Sequence, residues 1–160
     1  MCKENDLTLS DITANTDVFY IGGTKVGALF GEAVVIRNEE LKKDFRYNIK
    51  QRGGMLAKGR LLGIQFLTLF EDISAHAARL AEKLKDELTK MGVKFYIDSP
   101  TNQQFPILPD AVLAELKKKY SFAYQERMDE THSAVRFCTC WATKEENVDM
   151  LLADIRELLA

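Results

Sequence analysis

Residues 19–36 read Phe19-Tyr20-Ile21-Gly22-Gly23-Thr24-Lys25-Val26-Gly27-Ala28-Leu29-Phe30-Gly31-Glu32-Ala33-Val34-Val35-Ile36: an apolar run, a glycine-rich turn that ends in a lysine, and a β-branched run. The flanking runs, 17–21 and 32–36, have the composition of buried strands. A lysine amine attacks an aldehyde only when it is partly neutral and held still, and a turn packed between two buried strands is expected to give it both burial and a fixed exit point. The glycines allow a close ligand approach that a Cβ would block. The same residues also read as an ordinary turn, so the stretch by itself leaves both readings open.

Composition narrows the possibilities. With 160 residues, 46% hydrophobic and 29% charged, the chain can bury one substantial core. Its net charge of −2 and pI of about 5.8 give no drive toward nucleic acid, which is recognised through clustered cations. The longest apolar run, 61–70, is broken by Gly63, Gln65 and Thr68 and falls short of the roughly 20 residues of a membrane span. The polar N-terminus is read as carrying no signal peptide. Cys2, Cys138 and Cys140 are odd in number and badly spaced for a disulfide framework, which predicts a reducing, cytoplasmic setting. Cys138 and Cys140 lack the second Cys or His pair of a zinc site, so no metal is expected, and they read as core-lining or pocket-lining thiols.

Outward from the lysine turn, a short helix over 9–14 with Ser10 or Asp11 as its cap leads into the first strand. Asn38 caps a helix that runs to about Gln51 and stops at Gly53-Gly54. Residues 55–72 read as an apolar, buried helix, and 74–91 as an amphipathic one built on Ala77, Leu80, Leu84 and Leu88 and stopped by Gly92. From Val93 the pattern is that of a small α/β domain, with strands at 93–97, 105–108, 122–128 and 134–141 and a helix over 110–119. Thr143-Lys144-Glu145-Glu146 has the form of a capping box, ahead of a last helix whose buried face carries Val148, Leu151, Leu152, Ile155 and Leu159.

Three separated segments, 16–36, then Gln51-Arg52-Gly53-Gly54-Met55-Leu56-Ala57-Lys58-Gly59-Arg60, then Ser133-Ala134-Val135-Arg136-Phe137-Cys138-Thr139-Cys140-Trp141-Ala142-Thr143, together resemble, in order, the C-terminal half of the threonine aldolase and β-eliminating lyase family. These are fold-type-I enzymes dependent on pyridoxal 5'-phosphate (PLP). The resemblance implies an α/β fold in which 1-75 are a remnant of the large cofactor-binding domain and 76-160 the small C-terminal α/β domain. It implies PLP as cofactor, Lys25 as the Schiff-base residue, and Arg136 as the ligand of the substrate α-carboxylate. The expected reaction is retro-aldol cleavage of a threonine-like β-hydroxy amino acid to glycine and an aldehyde, with β-elimination as an alternative. The family's phosphate loop, ring-stacking histidine and pyridine-pairing aspartate do not precede Lys25, and the start at 1–7 resembles an entry just past that aspartate. The chain is accordingly expected to act as a C-terminal piece, as a homo-oligomer or with a missing N-terminal half, or to be a catalytically silent structural fragment. A longer connector is expected in the family near Glu71-Asp72-Ile73.

The residues themselves bear on these roles. Strand alternation places Val135, Phe137, Thr139 and Trp141 on one face and Arg136, Cys138 and Cys140 on the other. A planar guanidinium there suits a carboxylate, although pairing with Glu126 or Asp129 is the competing use. Lys58, at the expected start of the 55–72 helix, is the candidate for a cofactor phosphate, which exposed N–H groups would favour. Thr24 is a candidate cofactor contact or the end of the turn. His76 and His132 read as structural.

Overall fold

The computed structural model describes residues 8–70 and 76–160. The joint at 71–73, the expected helix start at Ser74 and the family-like entry at 1–7 lie outside the described residues. Backbone contacts divide residues 5–160 into two compact units, Asn5–Ser74 and Ala75–Ala160.

In the N-terminal unit, helix α1 (Leu9–Asn15) is capped by Thr8 rather than by Ser10 or Asp11. Thr8 Oγ1 accepts the Asp11 N–H at 3.3 Å, and the Asp11 carboxylate accepts the Thr8 N–H at 2.7 Å, a reciprocal box. Strands β1 (Val18–Gly22) and β2 (Glu32–Ile36) pair antiparallel, with Phe19 opposite Val35 and Ile21 opposite Ala33. Neither strand holds a buried residue; the cross-strand partners Tyr20 and Val34 are 69% and 50% exposed. The expected burial fails because a two-stranded ribbon has too little surface of its own to cover both faces.

The single helix expected from Asn38 to Gln51 is two, α2 (Glu39–Lys42) and α3 (Phe45–Gln51). Asn38 Oδ1 does cap the first, accepting the Glu40 N–H at 3.0 Å. The break is Asp44, whose φ of 57° is left-handed and cannot be continued as a right-handed helix. Helix α4 (Arg60–Thr68) starts five residues later than Met55, because Gly53, Gly54 and Gly59 oppose helix propagation and 57–59 form a turn instead. It is also not buried: Leu61, Ile64 and Leu67 form an open apolar stripe.

The C-terminal unit is built on α5 (His76–Lys90), β3 (Gln103–Gln104), β4 (Ile107–Pro109), α6 (Asp110–Leu116), β5 (Ala123–Arg127), β6 (His132–Cys138) and α7 (Glu145–Leu159). Strand β6 is central, with β3 and β4 along one side and β5 along the other, all antiparallel. The strand expected at 105–108 is shifted to β4, and β3 lies before it; between them Pro106 has no N–H for the ladder, but its carbonyl accepts the Val135 N–H at 3.1 Å. The strand expected at 93–97 is a single bridge, Phe95 to Pro106. The helices share a core with the sheet, in which Leu80, Leu108, Leu116, Val135 and Ile155 are almost wholly buried. Each such side chain contributes roughly 1.5–3 kcal/mol of transfer free energy. Leu159, expected on the buried face of α7, is 37% exposed at its end. The capping box at α7 does not form, since its N-cap is Lys144 and the Thr143 hydroxyl is bonded to Cys140.

Candidate functional site

Lys25 stands in a 3-10 turn, Thr24–Val26, between β1 and β2. The Gly23 carbonyl closes this turn by accepting the N–H groups of Val26 at 3.1 Å and Ala28 at 2.9 Å. A Cβ on Gly23 would stand 2.6 Å from Ala28 Cβ and 2.7 Å from Phe66 Cζ, so the close packing requires glycine. Gly31, at φ 86°, lies equally close to Leu62 of α4. Gln65, from the same helix, accepts the Leu29 N–H at 2.7 Å and donates to the Phe30 carbonyl at 2.8 Å. Helix α4 thus clamps the lysine turn through Leu62, Gln65 and Phe66. The sequence reading missed this clamp; its only signal was a glutamine interrupting an apolar run.

The turn gives Lys25 a fixed exit but not the expected burial, because both Thr24 and Lys25 are exposed. The amine makes no ion pair among the described residues. Lys58 is exposed in the turn before α4. The N–H groups of Gly59, Leu61 and Leu62 are already taken by the carbonyls of Leu56, Lys58 and Gly59 at 3.0–3.1 Å. Those N–H groups are therefore not free for a phosphate, although Lys58 itself stays exposed.

Arg136 belongs to the other unit. It lies in the middle of β6, opposite Ala123, with Ala134 and Cys138 as its same-face neighbours. Val135 and Phe137 turn the other way into the core. The guanidinium is half-buried, and its Nε is buried with no hydrogen-bond partner. It makes no ion pair with Glu126, Asp129 or any other described residue. Asp129 is instead occupied by the N–H groups of Thr131 and His132, each at 2.7 Å, and by His132 Nδ1 at 3.1 Å. A bulge between Tyr124 and Glu126 puts Glu126 opposite Ala134. A buried donor left unmade costs about 1–3 kcal/mol, and a planar guanidinium with an unused donor can bind a carboxylate.

The end of β6 is fixed from several sides. Thr139 N–H donates to the Asn102 carbonyl at 3.0 Å, and its hydroxyl donates to the Ala77 carbonyl at 2.7 Å. His76 Nε2 donates to the Thr143 carbonyl at 2.8 Å, which agrees with its structural reading.

No protein-family model matches the chain. Over 99% of its length it is 32% identical to a low specificity L-threonine aldolase of a Pseudomonas species, covering 46% of that protein. It is 30% identical over 89% of its length to the protein of the same name from Pseudomonas aeruginosa, covering 42% of it. The solved structure of Leishmania major threonine aldolase superposes with a TM-score of 0.82 at 40% identity, over 99% of this chain and 48% of that one. The chain spans about half the length of the relatives it matches. Over nearly its whole length the chain is thus similar to the C-terminal part of threonine aldolases.

Proposed function

We propose that the chain supplies the C-terminal half of a PLP-dependent lyase that cleaves a threonine-like β-hydroxy amino acid to glycine and an aldehyde. The observation that carries this reading is Arg136, a half-buried guanidinium whose Nε is buried without a hydrogen-bond partner. In this reading 1-75 provide the cofactor side and 76-160 the small domain. Lys25 is the covalent anchor, on an exposed, rigid turn with an uncommitted amine. Thr24 is a contact beside it, and Lys58 is a cation for the phosphate. Bound there, PLP supplies an electron sink for the pair left when the Cα–Cβ bond breaks. Arg136 holds the α-carboxylate by two parallel hydrogen bonds, which restricts rotation of the substrate and fixes which Cα bond is aligned for cleavage.

The open stripe of α4 and the uncovered faces of β1 and β2 support association, with an N-terminal half or with a second copy. A cytoplasmic location accords with the free thiols of Cys138 and Cys140. No described helix is long and apolar enough to cross a membrane. Residues 1–160 by themselves are expected to cleave threonine poorly, and better once an N-terminal half taken from a relative is added.

The decisive experiment incubates the chain with PLP, with and without that half, reduces with borohydride and maps the labelled peptide. Label on Lys25 is expected. Label found on lysines such as Lys83 or Lys117, and never on Lys25, refutes the assignment.

A further inference from the structure

The Cys138-Thr139-Cys140 segment has no part in the chemistry proposed above. Cys138 is exposed at the end of β6, and Cys140 is half-buried at the start of the turn that follows. That turn is closed by Thr143 N–H donating to the Cys140 carbonyl at 3.1 Å. The Cys140 N–H donates to Thr143 Oγ1 at 2.9 Å, and the Thr143 hydroxyl in turn donates to Cys140 Sγ at 3.5 Å. The turn itself is pinned by His76 on the Thr143 carbonyl. A concavity of about 150 Å³ is lined by Cys138, Thr139 and Thr143, on either side of Cys140 in the chain.

We propose that this segment is a peroxide-modified dithiol, in which Cys140 is the reacting thiol, Thr143 its positioning residue, and Cys138 the thiol that resolves it. The Cys140 sulfur attacks one oxygen of hydrogen peroxide; the S–O bond forms, the O–O bond breaks, and the departing hydroxide takes a proton to leave as water. Cys138, as thiolate, then attacks the Cys140 sulfur; the S–S bond forms, the S–O bond breaks, and a second water leaves. Two thiols are oxidised by two electrons, and one peroxide is reduced.

Three features assign the order. The Thr143 hydroxyl holds the Cys140 thiol below its usual pKa, with backbone N–H groups of Ala142 and Thr143 acting in the same direction. A thiolate held by donors is the reactive form. Cys138 has no such bond, but it is exposed and stands two residues away. Two residues of an extended strand are about 6.6 Å apart at Cα, at the upper edge of the range a disulfide spans. Closure must therefore contract the backbone at Thr139, which lies just beyond the end of β6. Contraction strains the bonds of Thr139 to Asn102 and Ala77, so oxidation loosens the attachment of the strand that carries Arg136.

The test uses the full chain with Cys2→Ser, so that only the two thiols remain. With equimolar hydrogen peroxide the chain should lose two hydrogens in a single intramolecular disulfide. Cys138→Ser in that background should accumulate a sulfenic acid at position 140 that dimedone traps. Cys140→Ser should slow peroxide consumption about tenfold, as should Thr143→Val, while Thr143→Ser should restore the rate. Amide exchange at Thr139 should rise on oxidation while that at Val135 stays slow. Equal reactivity of Cys138 in the Cys140→Ser chain, an unchanged rate in Thr143→Val, disulfides only between chains, or unaltered exchange at Thr139 would each overturn the proposal.

Discussion

Replacing Arg136 by methionine removes the guanidinium and keeps most of the unbranched stem that lies along β6. In the folded chain the Nε of Arg136 is buried without a partner, while in the unfolded chain water satisfies it. That loss costs the native state about 1–3 kcal/mol, the range for a buried donor left unmade. The guanidinium as a whole is only half-buried, so some solvation of its other nitrogens is lost from neither state and the gain falls at the low end. A net stabilisation of about 1 kcal/mol corresponds to a rise in Tm of roughly 4–8 °C for a unit of this size. Trp141, the single tryptophan, lies in the same unit as Arg136 and reports its unfolding by fluorescence in a thermal or urea titration. An arginine kept for a ligand should thus be a stability cost in the free chain, and Arg136→Met should unfold later than wild type. A fall in Tm of several degrees would mean that the guanidinium holds the fold through bonds of its own, and the carboxylate role would lose its main support.

Two further outcomes follow from titrating groups. Burial first, and then the 2.7 Å bond to Asp154, push Tyr120 up to about 12, so the neutral phenol is favoured in the folded state. Stability from this source is complete below pH 10 and is lost as pH rises from there toward 12; Tyr120→Phe should flatten that alkaline limb and cost about 1 kcal/mol at neutral pH. Asp129 is held down to about 2, chiefly by the Thr131 N–H and then by His132. Its contribution is complete above pH 4 and is lost as pH falls toward 2. Carboxyl chemical shifts should show Asp129 titrating well below the bulk of the aspartates, and a midpoint near 4 would contradict the turn geometry.

The α/β class, the glycine-rich lysine turn and the run of β6 through Val135, Arg136 and Phe137 were legible in the sequence, because each rests on local periodicity or on glycine chemistry. Alternation alone placed Arg136 away from the core face, and heptad-like spacing alone picked Leu80, Leu84 and Leu88 as the buried stripe of α5. What local patterns could not carry were events set by single backbone positions. Asp44 in the left-handed region split a helix that composition favoured as continuous, and Pro106 delayed the start of β4 within the strand expected at 105–108. At Thr143 the hydroxyl had two possible partners, the helix start and Cys140, and tertiary geometry chose the second.

The lysine turn shows the same division. Its sequence determined that the chain must reverse there, since Gly23, Gly27 and Gly31 allow conformations and contacts denied to other residues. Only the tertiary structure decided what holds the reversal, because Gln65 lies more than thirty residues away and hydrogen bonds across that separation leave no periodic trace. Exposure was decided in the same way. An apolar strand or helix signals that it can be buried, but whether it is depends on how much surface folds over it. In Asn5–Ser74 that surface is too small for the stripe of Leu61, Ile64 and Leu67, whereas in Ala75–Ala160 three helices close over one face of the sheet and bury it.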